Sequence, residues 1–103
     1  MTSTDMRVRV LLSVQRAFLG HISTAVRAIT CRWTEDEIYV RVLVDGEISD
    51  DDADAISEAE TEVIADFASQ IAVHFELERR DHPASIKYDN DEQAVFRRLE
   101  KCQ

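Results

Sequence analysis

One acidic stretch, residues 45–67, constrains the fold of this chain more than any other segment. It reads DGEISDDDADAISEAETEVIADF and contains ten carboxylates but no Lys or Arg. The Asp45-Gly46 pair predicts a turn, and Ser49 predicts a helix N-cap because its hydroxyl can accept a hydrogen bond from a first-turn N–H. Apolar residues then recur at helical spacing, which predicts one amphipathic helix from Ser49 to Phe67. The apolar positions are Ala53, Ile56, Val63, Ile64 and Phe67.

The other side of this predicted helix carries a high density of negative charge. Asp51, Asp54, Glu58 and Glu62 follow one another at steps of three and four residues, so they stack along one helix face. We call these four residues the acidic stripe. The sequence therefore predicts a helix whose apolar side packs inward and whose anionic side faces water or a binding partner.

Charge is distributed unevenly along the 103 residues, whose formal net charge is −9. Residues 34–78 hold fifteen acidic side chains against one basic side chain, Arg41, which gives −14, and the rest of the chain carries +5. Nucleic-acid phosphates are bound through Lys and Arg, so this composition argues against a nucleic-acid partner. A cationic protein attracted by the long-range field is favoured, and solubility is the alternative reason for such a surface.

The length of the chain predicts a single domain, residues 1–103. No apolar run approaches the length needed to cross a bilayer, so we expect no membrane association. The N-terminal stretch lacks the charged-then-apolar layout of a signal peptide, and we therefore expect a cytoplasmic protein. Cys31 and Cys102 are too few for a disulfide framework, and both are expected to be free thiols.

Hydropathy patterns on either side of the acidic helix predict one further helix and four strands. The helix is expected from about Asp5 to Leu19. Its predicted apolar face consists of Val8, Leu11, Leu12, Phe18, Leu19 and Ile22. Val10 and Val14 widen this face, so we expect the helix to be buried on more than one side. Strands are expected at Ala25–Trp33, Glu37–Val44, Ile71–Glu78 and Ala94–Leu99. The order α-β-β-α-β-β predicts an α+β fold, in which a four-stranded, mainly antiparallel sheet carries two helices on one face.

The carboxylate clusters do not match the patterns of metal or catalytic sites. An EF-hand loop needs alternating carboxylates with Gly and Glu at fixed positions, and the run of Asp50–Asp52 lacks that spacing. An acid–base pair needs two unlike environments that separate its pKa values, whereas neighbours on a solvated helix face share one environment. His21, His74 and His82 lack metal-ligand spacing. We therefore expect no enzyme activity, no metal and no cofactor.

Two aromatic residues are candidates for the apolar anchor of a protein interface. Trp33 ends a predicted strand beside a polar loop, and aromatic side chains surrounded by charge are typical interface hot spots. A Trp that closes the end of the core fits the same position equally well. Tyr39 lies on the less buried face of the second strand. The predicted partner-binding residues are Asp51, Asp54, Glu58, Glu62, Trp33 and Tyr39.

Two segments of the chain resemble a group of small bacterial proteins. LLSVQRAFLGHISTAVRAIT is similar to an LLS-QRALLG pattern, and VDGEISDDD…ETEVIADF is similar to a DGEIS…ETEVIADF pattern; together they span Leu11–Phe67. The group comprises immunity proteins of polymorphic toxin and contact-dependent growth inhibition systems. The resemblance implies a cytosolic protein that binds and neutralises one cognate toxin domain, often a nuclease. After the third strand, where the family has Tyr-Pro or Phe-Pro, this chain has Asp81-His82-Pro83.

Charge and resemblance together predict an immunity protein whose acidic surface covers the active or substrate-binding site of a cognate toxin, with a nuclease domain as the expected toxin. The alternative is a small structural or regulatory protein that forms a homodimer through a sheet edge. A third hypothesis, an enzyme that uses the carboxylates, would require a bound metal or a bell-shaped pH profile of activity.

Overall fold

The computed structural model describes residues 3–100, with side chains from Asp5 onward. Two helices and four strands follow the predicted order α-β-β-α-β-β, which confirms the α+β fold. The elements are α1 (Ser3–Ala17), β1 (Val26–Trp33), β2 (Glu37–Val44), α2 (Asp50–Asp66), β3 (Ala72–Arg79) and β4 (Gln93–Arg97).

The four strands form one mixed sheet in the order β3-β2-β1-β4. β1 pairs antiparallel with both β2 and β4, as expected for a mainly antiparallel sheet, whereas β2 and β3 run parallel. The parallel pair arises because α2 carries the chain back across one face of the sheet before β3 begins. This connection leaves β3 and β4 at the two edges.

Both helices pack on the same face of the sheet and against each other. α1 lies over β1 and β4, and α2 lies over β3. Phe18, which follows α1, stacks on Phe75 of β3 with ring centroids 5.9 Å apart. The side chains in the core between helices and sheet include Val10, Val14, Ile29, Ile38, Val40, Val42 and Val63.

The buried face of α1 differs from the predicted one. Leu12 and Leu19 are exposed, whereas Val10 and Val14, which were expected to widen the face, are fully buried. Ser13 and Ala17, which were not predicted, are buried beside them. Two apolar stripes run along this helix, and periodicity alone does not choose between them. Packing against α2 decides the choice, because the small side chains of Ser13 and Ala17 allow the two helices to approach closely.

The buried face of α2 is narrower than the sequence predicts. Ile56, Val63 and Phe67 are buried as expected, but Ala53 is exposed and Ile64 is 51% exposed. The physical reason is the position of α2 above an edge strand. α1 covers one flank of α2, and no helix or strand of residues 3–100 covers the other flank.

The opposite face of the sheet is covered by the connection between β3 and β4, residues 80–92. Backbone carbonyls of this connection accept hydrogen bonds from Arg27 and Arg41 of the sheet. Leu43 of β2, on this face, is fully buried.

Cys31 is a free, buried thiol, in agreement with the prediction. Burial, followed by the negative charge of Glu92, raises the pKa of this thiol to about 12. A thiol with such a pKa is inert at neutral pH, because the thiolate is the reactive form. Cys102 lies outside the described residues.

Candidate protein-binding surface

The acidic stripe lies on α2, and the start of this helix is fixed by the residue predicted to cap it. Ser49 is the N-cap, and its hydroxyl accepts a 3.1 Å hydrogen bond from the backbone N–H of Asp52. Three aspartates occupy the first turn, where their negative charge meets the positive end of the helix dipole. The local sequence therefore sets where α2 begins and which face its carboxylates share.

All four side chains of the acidic stripe are exposed. Within the described part of the chain, no side chain forms a hydrogen bond or ion pair with Asp51, Asp54 or Glu62. Glu58 differs, because its Oε2 lies 3.1 Å from Nε2 of His21. Like charges at this spacing repel one another, so the stripe favours contact with cationic groups.

His21 follows α1 and connects the two helices. Its Nδ1 lies 3.0 Å from the carbonyl oxygen of Ala17, and its Nε2 contacts Glu58 on α2. Both contacts are hydrogen bonds at the same time when both ring nitrogens carry a proton. The imidazole thus attaches the middle of the acidic stripe to the end of α1.

A second set of contacts holds the C-terminal end of α2. The hydroxyl of Ser13 donates a 2.6 Å hydrogen bond to Oδ2 of Asp66, and Nη2 of Arg16 lies 3.5 Å from the same oxygen. The guanidinium of Arg9 lies 5.0 Å from the ring centroid of Phe67 and donates to the carbonyl of Asp66. Together with the His21 contact, these interactions fix the rotation of α2 and keep the acidic stripe turned towards solvent.

The structure separates the two aromatic candidates from each other and from the acidic stripe. Trp33 is half-buried and packs against the core, on the side of the sheet that carries the helices. Tyr39 lies on the opposite face. Its ring stacks on His74 with centroids 4.8 Å apart and lies 4.1 Å from the guanidinium carbon of Arg32. Its hydroxyl donates a hydrogen bond to Glu37. Of the six predicted residues, only the four carboxylates form one continuous surface.

Sequence reasoning missed a polar cleft on the face of the sheet that lacks helices. Its volume is about 270 Å³, and it lies beside Tyr39 and His74. Arg41, in its wall, donates two 2.8 Å hydrogen bonds to the carboxylate of Glu92 and a third of 2.8 Å to the carbonyl of Lys87. Arg41 is the one basic residue in the acidic segment 34–78. This isolation was the available signal in the sequence for a structural ion pair.

Glu92 is the centre of the polar network in this cleft, with a side chain that is only 5% exposed. Besides the two bonds from Arg41, it accepts hydrogen bonds from the hydroxyl of Thr30 and the backbone N–H of Asp89. Burial alone would raise the pKa of Glu92, but these hydrogen bonds outweigh it and the pKa lies below its ordinary value. The network therefore fastens the connection between β3 and β4 to the sheet.

A second network holds the turn that precedes α2. The buried guanidinium of Arg27 donates hydrogen bonds of 2.7 and 2.9 Å to the carboxylate of Glu100. Arg98 donates to the same carboxylate at 2.9 Å and to Asp45 at 3.0 Å. Hydrogen bonding to Arg27, with a smaller contribution from Arg98, lowers the pKa of Glu100 to about 2, although burial opposes the shift.

The Asp45-Gly46 motif is therefore a structural feature. Asp45 accepts a 3.1 Å hydrogen bond from the backbone N–H of His82. Gly46 has a φ of +80°, which suits glycine, and its N–H donates a 2.7 Å hydrogen bond to Oδ1 of Asp81. The motif directs the chain out of β2 and into α2, and so positions the acidic stripe.

Within the side chains of residues 5–100, no three His, Cys, Asp or Glu groups lie close enough together to hold a metal ion. No helix in the described part of the chain is both long and apolar enough to cross a membrane. A comparison with curated proteins finds no match. The family model of the MafI2 immunity protein matches residues 7–100, which extends beyond Phe67 and includes the Asp81-His82-Pro83 segment. Because this match covers most of the chain, the protein belongs to the MafI2 immunity protein family.

Proposed function

We propose that this protein neutralises a cognate toxin by docking the acidic stripe of α2 over a basic, substrate-binding site of that toxin. Family membership supports toxin neutralisation as the function and a toxin protein as the partner. The observation that supports the site is the exposure of Asp51, Asp54 and Glu62 on one helix face without internal partners. Such a surface attracts a positively charged protein over a long range.

A nuclease is the toxin class that fits this charge best. Nucleases hold the phosphates of their substrate with Lys and Arg, and an anionic helix competes for the same groups. From Asp51 to Glu62 the stripe extends about 17 Å, which is the rise of about five base pairs. Bound across the substrate groove of the nuclease, α2 would exclude nucleic acid by occupying its place.

The proposed inhibition needs no chemical step by this protein. Its residues bind, and the contacts of His21 and Ser13 hold α2 in a fixed orientation before the encounter. A surface that is already ordered loses little conformational freedom on binding, which favours affinity. We expect the complex to form in the cytoplasm, where a nuclease toxin meets its substrate.

Trp33 and Tyr39 are two further residues that we propose as toxin contacts, and each lies on a surface of its own. Both are half-buried, and they lie on opposite faces of the sheet. A single flat interface therefore cannot contain the acidic stripe and Tyr39 together. Separate alanine variants at Trp33 and Tyr39 measure whether the toxin reaches either surface.

The acidic stripe is tested by charge reversal and association kinetics. The toxin is first identified by pull-down with the product of the neighbouring upstream gene. Lysine is then placed at all four stripe positions, and association rates are measured at two salt concentrations. We expect slower association and a weaker salt dependence, because electrostatic steering raises association rates at low salt.

A matched control distinguishes the effect of where the charges are reversed from the effect of the change in net charge. Lysine replaces four other exposed carboxylates, which changes the net charge equally while leaving the stripe intact. The control positions are Glu35, Glu47, Asp89 and Asp91. If the control slows association as much as the stripe variant does, only net charge matters. If the stripe variant matches the parent, α2 is not the interface.

A further inference from the structure

We propose that two copies of this chain pair edge to edge along β3 and form one continuous eight-stranded sheet. Each copy contributes four strands, with β3 at one edge. The contact would be isologous, because an antiparallel pair of identical strands is related by a two-fold axis. This inference is independent of toxin binding, because the acidic stripe lies on a different surface.

β3 differs from β4, the strand at the other edge, in how well it can accept a further strand. β3 is eight residues long, and its register with β2 runs without a bulge. β4 is five residues long, and its pairing with β1 shifts register between Ile29 and Thr30. Short edge strands and bulges are the means by which proteins discourage edge pairing. β4 has both of these features and β3 has neither.

The backbone of β3 has a full set of outward-facing groups. The N–H groups of Ala72 and Arg80 donate hydrogen bonds of 2.9 and 2.8 Å to the carbonyls of Asp36 and Val44. Even-numbered residues of β3 therefore turn their backbone groups towards β2. Because backbone direction alternates along a strand, the odd-numbered residues point their N–H and C=O groups outward. No strand of residues 3–100 lies beyond them.

Exposed apolar side chains accompany this edge on the side that carries the helices. Leu77 of β3 is 48% exposed, and Ile64 of α2 is 51% exposed. Asp66 contacts α1, Glu58 contacts the turn that follows α1, and Val63 faces the core, so the flank of α2 that holds Ile64 points away from α1. α1 lies over β1 and β4, and the free flank of α2 therefore faces the β3 edge.

In one register of the antiparallel pair, the side chains that lie opposite each other are compatible on both faces of the sheet. With Phe75 on the two-fold axis, Val73 lies opposite Leu77 of the second copy. On the other face, His74 then lies opposite Glu76 of the second copy. A shift of two residues places Glu76 against Glu76 or His74 against His74. The central register is therefore selected by apolar contact on one face and by acid–imidazole pairing on the other.

This register also satisfies the outward-facing backbone groups. Val73, Phe75 and Leu77 form three hydrogen-bonded pairs across the axis, each exchanging two bonds, so about six backbone hydrogen bonds form. Ile64 from each copy comes towards the axis above the sheet. Asp51, Glu58 and Glu62 lie about 120–160° around α2 from Ile64 and stay exposed in the dimer, whereas Asp54, at about 80°, lies nearest the interface.

A measurement of the oligomeric state in solution tests the proposed dimer directly. Sedimentation equilibrium of the whole chain at high micromolar concentration is expected to give twice the chain mass. Leu77→Lys and Ile64→Lys should each give the monomer mass, because the interface would bury an unpaired charge. Leu19→Lys is the matched control, since Leu19 is 73% exposed in the turn that follows α1, and it should leave the dimer intact. Far-ultraviolet circular dichroism verifies that each variant is folded.

Disulfide trapping tests the register. In a Cys102→Ser background, a His74→Cys chain mixed with a Glu76→Cys chain should form a crosslinked dimer on oxidation. This pair does not exchange backbone bonds, so its Cα atoms lie about 4.5 Å apart, within the range of a disulfide. Neither variant should crosslink alone. A monomeric parent, or a dimer that survives Leu77→Lys, overturns the proposed interface, and crosslinking of Glu76→Cys alone overturns the register.

Discussion

Glu92→Gln is the most informative perturbation of the fold, because it removes one charge from a buried ion pair and keeps the shape of the side chain. Gln keeps one acceptor oxygen, so Arg41 loses the partner charge and one of its two 2.8 Å hydrogen bonds to residue 92. The guanidinium remains in place, with its side chain only 20% exposed. Removing the counter-charge of a buried ion is strongly destabilising, because the attraction between the two charges no longer offsets the cost of taking the remaining charge out of water.

The expected loss in the free energy of unfolding is about 3 kcal/mol, the lower end of the range for breaking a buried ion pair. The lower end applies because Oε1 of Glu78 lies 3.5 Å from Nη1 of Arg41, so a second negative charge still stabilises the guanidinium. Domains of this size are stable by roughly 5–15 kcal/mol, so the variant should still fold.

Urea unfolding monitored by circular dichroism measures this loss through the midpoint of the transition. Glu35→Gln is the matched control, since Glu35 is exposed between β1 and β2 and has no partner among the described residues. It should change the free energy of unfolding by less than about 0.5 kcal/mol. Hydrogen exchange at residues 86–92 should rise in Glu92→Gln, because the network fastens this segment to the sheet.

The double variant Arg41→Met with Glu92→Gln decides whether the unpaired charge is the cause. If it is, removing Arg41 recovers part of the stability lost in Glu92→Gln, and the two single effects are not additive. Additive losses, or a loss below about 1 kcal/mol in Glu92→Gln, would refute the reasoning, since the pair would then contribute no more than a surface contact.

Two further predictions concern the core and the response to acid. Phe67→Ala should lower the free energy of unfolding by about 3–5 kcal/mol, because the ring is buried beneath Arg9 at the end of α2; a loss near zero in urea unfolding would contradict this packing. Glu100 has its pKa lowered from 4.5 to about 2, so its contribution is present above pH 4.5 and is lost as the pH falls towards 2. The stability difference between the parent and Glu100→Gln should therefore shrink across this interval, and a constant difference would show that the carboxylate charge is not involved.

Elements with strong local signals were predicted well. Ser49 and the aspartates that follow it fix the start of α2, and the alternating residues of β1, β2 and β3 specify strands, because both patterns act between near neighbours in the chain. The direction of β3 was not available from such patterns. Alternation is the same in parallel and antiparallel strands, and only the path of α2 across the sheet makes β3 parallel to β2.

In the candidate site, too, local spacing predicted some features and only the tertiary structure decided the others. Helical spacing was sufficient to place Asp51, Asp54, Glu58 and Glu62 on one face of α2. It could not show that Glu58 contacts His21, which lies 37 residues away along the chain. Alternation along β2 did place Tyr39 on the less buried face of the sheet, but it could not show that Tyr39 stacks on His74 of β3.

The sequence alone determined the order of helices and strands, the N-cap of α2, the charge of its outer face and the resemblance to immunity proteins, because each depends on neighbouring residues or on composition. Only the tertiary structure decided which apolar stripe of α1 is buried, which charges are paired and which sheet edge stays open. Arg41 and Glu92 are 51 residues apart, and Arg27 and Glu100 are 73 apart. Such pairs form only when the whole chain has folded, since no local pattern brings their side chains together.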